Sequence, residues 1–175
     1  MALKRGIVEL EEFNNKWFEE YKKEEKFLKE KLNTKAIEIH HVGSTSIKGL
    51  SAKPVIDILV VIEKLDKINE IEEILKDYNY SNRGHQGVDD RYFFAKGSEE
   101  ARTHYIHFVE KNSNTYYNLL YFKKYLNDNP EYIKKYAKLK KDLAVKYKDE
   151  RSKYTSGKNE FITSVINLAK KIYKE

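Results

Sequence analysis

No cysteine occurs in this chain, which excludes disulfides, thiolate nucleophiles and a cysteine-ligated zinc site. Proline is scarce, and both prolines mark boundaries: Pro54 ends a small-residue turn, and Pro130 follows Asn129 as a first helical residue after an N-cap. No apolar run approaches the ~20 residues that span a bilayer, and the N-terminal MALKRGIVELEEF lacks the apolar core of a signal peptide. A cytoplasmic protein without membrane association is therefore expected. The 40% hydrophobic and 13% aromatic content exceeds that of disordered chains, despite 35% charged residues. With 175 residues, one domain with a real core is expected, mainly sheet over 1–110 and helical over 111–175.

The +6 net charge is unevenly spread. From Lys111 onward there are 16 Lys+Arg against 7 Asp+Glu, whereas the remainder holds 18 against 21. A basic C-terminal third can attract a polyanion, such as RNA or a phosphorylated small molecule, but it can equally decorate solvated helices. Nine of the 14 tyrosines fall in the same third, interleaved with lysine. Such rings can stack on bases, although packing helix on helix is their commoner use.

The chain is organised around His40 to Ile62. Ile37 to Val42 reads as a strand that ends in Gly43-Ser44-Thr45-Ser46, followed by one or two helical turns broken at Gly49. Gly43, Ser44 and Thr45 sit where a chain leaving a strand turns its N–H groups toward an anion. The next strand, Val55 to Ile62, is apolar except for Asp57. An unpaired carboxylate there costs several kcal/mol, roughly the penalty of a buried charge, so Asp57 requires a partner. Alternation places Ile56, Ile58, Val60 and Ile62 on a core face and Asp57, Leu59 and Val61 on the other, toward the turn if the strands pair. Lys53 lies within reach of an anion held there. The adjacent His40 and His41 point to opposite faces of a strand, so they cannot share one metal.

Elsewhere the periodicity predicts amphipathic helices over Leu10 to Leu32 and Leu65 to Tyr78. Strands are expected over Arg91 to Ala95 and Thr103 to Val109, with Ser81 to Asp90 as the loop before them. Asn114 onward is helical: Asn114 can cap a helix running to Leu126, a second runs through Tyr132 to Tyr147, and a third through Phe161 to Ile172. Tyr154 to Lys158 (YTSGK) reads as a short polar break between the last two. The expected class is α+β with a mixed sheet.

The ordered motifs resemble the GrpB-like family of predicted nucleotidyltransferases. They are His41-Val42-Gly43-Ser44-Thr45, Gly49-Leu50-Ser51-Ala52-Lys53-Pro54 and Val55-Ile56-Asp57-Ile58. The resemblance continues through Arg91-Tyr92-Phe93-Phe94 and Thr103-His104-Tyr105-Ile106-His107 to Tyr154-Thr155 and Lys158. It implies the palm-like nucleotidyltransferase sheet of DNA polymerase β relatives, in which a Gly-Ser turn holds a triphosphate and carboxylates position Mg²⁺ for phosphoryl transfer. By that resemblance, Asp57 would bind Mg²⁺ and His107 would act beside it as an acid/base group. Gly43, Ser44, Thr45, Lys53, Arg91, Tyr154, Thr155 and Lys158 would hold the phosphates of a nucleotide or other phosphorylated ligand. One position departs from the pattern: Leu59 stands where the superfamily places a second carboxylate, and leucine cannot coordinate Mg²⁺. A third superfamily carboxylate comes from a later strand, where Glu110 is the nearest candidate. At the missing position His107, Glu63 or Asp89 could substitute, or Asp57 could hold the metal with substrate phosphates alone. Otherwise the chain binds its ligand without chemistry.

Overall fold

In the computed structural model, which describes residues 8–173, the first helix starts later than its periodicity predicts, at α1 (Lys16–Leu32). Two local features explain the delay. Glu11 exchanges both backbone hydrogen bonds with Ala52, at 2.9 and 3.0 Å, which holds the preceding residues extended. The Asn14 side chain then accepts the Lys16 N–H at 2.9 Å, an asparagine turn that opens the helix. The apolar stripe of α1, from Trp17 through Tyr21 and Leu28 to Leu32, is buried.

Five strands follow: β1 (Glu38–Val42), β2 (Ile56–Ile62), β3 (Tyr80–Asn82), β4 (Arg91–Lys96) and β5 (His104–Glu110). Their order across the sheet is β1-β2-β5-β4-β3; only β2 and β5 are parallel. The short β3 falls where the sequence reads as loop, because a three-residue edge strand is too brief to show alternation. Between β2 and β3 runs α2 (Ile68–Leu75).

The alternation of β2 divides the molecule. Ile56, Ile58, Val60 and Ile62 join Ile106, Phe108 and Phe94 in a core covered by α1 and α2. Leu59 and Val61 point the other way, with Val42 and Val109, onto α3 (Asn114–Asp128) through Tyr116, Leu119 and Leu120. That second face is completed by α4 (Pro130–Lys146), α5 (Arg151–Gly157) and α6 (Asn159–Tyr173). α3, α4 and α6 share a cluster of their own, which includes Phe122, Tyr136, Val165 and Ala169 and takes in Ile47 and Leu50 after the glycine turn. The sequence stretch YTSGK is therefore not a break: Tyr154 to Gly157 lie inside α5, with Tyr154 buried.

One cap differs from the sequence reading, and a second does more than expected. Ser113, rather than Asn114, is the N-cap of α3, accepting from Tyr116 N at 3.3 Å. Asp90, at the end of the β3–β4 loop, accepts the Thr115 N–H at 2.8 Å as well as the Thr115 hydroxyl. Asn129 is the N-cap residue of α4 with Pro130 as the first helical residue, as the sequence reads. Its side chain makes no cap bond there, and its amide donates back to the Tyr125 carbonyl at 2.8 Å, which closes α3.

Candidate functional site

The second face of the sheet meets the C-terminal helices around a cavity of about 390 Å³. Gly43, Ser44, Thr45, Lys53, Asp57, Arg91, His107, Tyr154, Thr155 and Lys158 all line it, so every site residue expected from the sequence reaches one space. The sheet register brings them together. Val42 is the partner of Asp57 across β1 and β2, which sets the following glycine directly against the carboxylate. Gly43 takes φ +68°, and a Cβ there would lie 2.7 Å from Asp57 Oδ2. Only glycine supplies both that backbone and that closeness. Ser44–Ser46 form a single 3₁₀ turn, fastened by the Ser46 hydroxyl on the Gly43 carbonyl at 2.6 Å.

His107 is offset from Asp57 on the parallel neighbour β5, and its Nε2 lies 3.2 Å from Asp57 Oδ1. Its Nδ1 faces the Arg91 guanidinium at 3.0 Å. Arginine only donates, so Nδ1 is the acceptor; the ring proton resides on Nε2 and is given to Asp57. Arg91, His107 and Asp57 thus form a directed chain of hydrogen bonds across three strands. His41 lies under the turn, with Nε2 2.9 Å from the Thr45 hydroxyl and its ring stacked on Tyr21. Burial pushes its pKa down to about 3, so it supports the turn as a neutral ring.

The cationic side of the cavity is larger than the sequence suggested. Besides Lys53, Arg91 and Lys158, it contains Lys140 and Arg151, while Asp57 is the only carboxylate lining it among the described residues. Lys140 is 2% exposed and donates to the Ser51 carbonyl. Burial holds it well below the usual lysine range, reinforced by Lys158 and Lys53. Burial also brings Lys53 down to about 7, with Lys158 and Arg151 adding to the shift. Lys158 falls to about 8, again mainly through burial. Both Lys53 and Lys158 sit over the Tyr154 ring, at 5.5 and 4.7 Å from its centroid. Arg151 donates to the Tyr105 hydroxyl at 2.8 Å. On the inner side, Leu119, Phe122, Tyr136, Ile162 and Ile166 supply an apolar and aromatic wall.

Lys140 could not be singled out from sequence because it is one lysine in a lysine-rich helix; only the packing of α4 against the Ser51 segment separates it from its solvated neighbours. Arg151 and Tyr105 carried a weak signal: Tyr105 lies inside a motif already noted, and Arg151 lies three residues before another.

The donor set does not suit a magnesium pair. Mg²⁺ requires near-octahedral oxygen ligands, and no group of three His, Asp or Glu converges among the described residues. Leu59 is fully buried against α3. Glu110 lies on the other face, accepting Leu65 N at 3.0 Å, and Glu63, just past the far end of β2, pairs with Lys67 at 2.6 Å. Neither can join Asp57, and no grouping brings Asp89 to it. The nearest titratable partner of Asp57 is a histidine that already donates to it.

The GrpB protein family matches residues 7–168. UPF0157 protein YqkA of Bacillus subtilis is 36% identical over 94% of this chain, which spans 48% of that protein's length. The glutamate-rich protein GrpB of Alkalihalophilus pseudofirmus is 33% identical over 95% of this chain and 98% of its own. Among solved structures, the conserved protein GrpB from Enterococcus faecalis superposes with a TM-score of 0.89 at 33% identity, covering 95% of this chain and 100% of its own. The Cid1 poly(U) polymerase, crystallised with Mg 3′-dATP, gives a TM-score of 0.54 at 17% identity over 76% of this chain and 43% of its own, a likeness of fold. No helix among the described residues is long and apolar enough to cross a membrane. The chain belongs to the GrpB family and is built on a nucleotidyltransferase-like fold.

Proposed function

We propose that the cavity binds a phosphorylated small molecule of nucleotide size and neutralises its phosphates with protein cations rather than with a metal pair. One observation carries this reading: Lys53, Arg91, Lys140, Arg151 and Lys158 share a cavity with a single carboxylate. Lys140 is buried and the other four are partly buried, and desolvation, reinforced by their mutual repulsion, depresses the three lysines. An arriving phosphate relieves both penalties at once. The volume lies within the range of small-molecule sites, and the aromatic inner wall can take a flat ring system. Gly43 to Thr45 add a glycine turn into a 3₁₀ segment at the cavity wall, the kind of backbone that can take an anion.

Calorimetric titration with nucleoside triphosphates tests the proposal. Binding is expected in EDTA as well as in Mg²⁺, and Lys158→Met should weaken it by about 10- to 100-fold, the worth of one charge-assisted contact. Binding only in the presence of a divalent ion would overturn it.

Nucleotidyl transfer is the second reading, favoured by the apposition of Gly43 and Asp57 on this fold. Asp57, oriented by His107, would then take the acceptor proton. Pyrophosphate release from a triphosphate, abolished by Asp57→Asn with an unchanged melting curve, would support it. Release that survives this substitution would remove Asp57 from any mechanism.

A further inference from the structure

Arginine is rare here. Of the 34 basic residues only five are arginine: Arg5, Arg83, Arg91, Arg102 and Arg151. Arg5 lies outside the described residues. The other four, which come from three separate parts of the chain, all line a second depression of about 660 Å³. It adjoins the cavity: Arg91, Tyr105, Arg151 and Thr155 belong to both walls. Its remaining lining among the described residues is hydroxyl, amide, aromatic and alanine side chains without a carboxylate, although Glu99 nearby approaches Arg83 and Arg102 at 3.4 and 4.0 Å.

In a chain that otherwise uses lysine, guanidinium groups stand where their geometry matters. A guanidinium offers five donors in a planar fork that matches phosphate in two-point contact, which an ammonium cannot do. Not all four serve equally. Arg102 is 6% exposed and donates to the Gly97 carbonyl, so it anchors the β4–β5 loop as well as facing the depression. Arg83 is the freer group: its side chain is 32% exposed and lies 3.4 Å from Glu99 on that same loop. Arg91 and Arg151 stand on the boundary of the two spaces, held by His107 and Tyr105.

We infer that this arginine-lined depression is a second phosphate subsite continuous with the cavity, so that the ligand carries two separate phosphate groups, one in each space. The inference rests on the cavity being a phosphate site. The second phosphate can belong to a small bisphosphate or to the next residue of a nucleic-acid strand, and the chemistry that recognises it is the same.

Binding of nucleoside 5′-monophosphates and 3′,5′-bisphosphates, each with all four common bases, can be compared by calorimetry on the full chain. The bisphosphate is expected to bind at least about 10-fold tighter, the worth of one charge-assisted contact. Arg83→Gln, at a partly exposed position where folding is not at risk, should remove that gain and leave monophosphate affinity unchanged. Lys53→Met should weaken both. Equal affinity for the two ligands, or an Arg83→Gln effect shared by both, would overturn the second subsite while the cavity reading stands. Failure of every nucleotide to bind would remove the cavity reading and the subsite with it. A trinucleotide that binds tighter still, with the excess lost in Arg83→Gln, assigns the second phosphate to a strand; without that excess it belongs to a small molecule. Either result keeps the subsite.

Discussion

At Lys53, burial and like charge act in the same direction, and this makes its titration informative. The folded-state value of about 7 lies below the ordinary 10.5, so between those values the unfolded chain binds more protons than the folded one. Stability contributed by this group is therefore least at and below pH 7 and rises as pH climbs toward 10.5. Lys53→Met is expected to stabilise the fold by about 1–4 kcal/mol at pH 7, the range for replacing buried charges with apolar groups. The advantage should shrink at pH 9, and ligand affinity should be lost at both; urea denaturation at the two pH values measures it. Ligand binding has the opposite sign, because a bound phosphate favours the protonated lysines. Affinity should decline as pH rises past 7 to 8, and binding at pH 8 should take up protons, which calorimetry in buffers of different ionisation heat detects. Two glycines give a second comparison. Gly43 and Gly49 both have positive φ, at +68° and +83°, but only at Gly43 would a Cβ collide with Asp57. Alanine at either position should cost about 1–3 kcal/mol of backbone strain. Only Gly43→Ala should also abolish binding; equal binding by the two variants would show that contact with Asp57 is irrelevant to the site.

The helices after β5 place half of the cavity, and their anchoring is local. The start of α3 is held from outside by Asp90, which takes the Thr115 N–H and hydroxyl, whereas the Ser113 cap bond is longer, at 3.3 Å. Asp90→Ala is thus expected to cost about 1–2 kcal/mol, the upper range for losing a helix cap, and Ser113→Ala distinctly less. Chemical denaturation of the two variants decides between them. Asp90 directly precedes Arg91, so the same change should also loosen the arginine that polarises His107. At this scale the sequence was partly legible. The two-residue period of β2 and the apolar stripes of the helices are properties of single elements, readable from one strand or helix alone. The Asn129-Pro130 start of α4 was legible too, but the hold on α3 by an Asp 25 residues away, and the turn of the Asn129 side chain back onto that helix, are decided by which ends meet in space. The helicity of α5 was obscured for a related reason: Ser, Thr and Gly in YTSGK carry weak helix propensity, and the segment is fixed by burial of Tyr154.

Across the whole molecule, the basic third of the chain divides into two populations. Most of its lysines are exposed on helix surfaces, where they meet water or pair at short range, as Lys138 does with Asp142 and Lys124 with Asp128. Lys140, Arg151 and Lys158 are turned inward to the cavity. Ligand affinity should therefore respond only moderately to salt, since enclosed charges are screened less than surface ones. A steep logarithmic salt slope, as for a protein that tracks a polyanion over its surface, would instead bring the exterior lysines into binding. The two families of side chains also explain the tyrosines. Tyr125, Tyr136 and Tyr154 are buried against neighbouring helices or lysine stems, the packing use, and Tyr136 and Tyr154 also wall the cavity.

Periodicity, together with residues that have one physical use, was enough to define an α+β chain, a glycine turn after the first strand, and a carboxylate on the face opposite the aliphatic core. Strand alternation and left-handed glycine are local, so their consequences travel with the sequence. That Lys140 and Arg151 join Lys53, Arg91 and Lys158 beside that carboxylate, and that no second acid among the described residues lines the cavity, became visible only in three dimensions. Lys140, Arg151 and the arginine-lined depression come from residues far apart in the chain, each ordinary among its neighbours. Their meaning arises from desolvation and mutual repulsion in a shared enclosure, and those forces exist only once the helices close over the sheet.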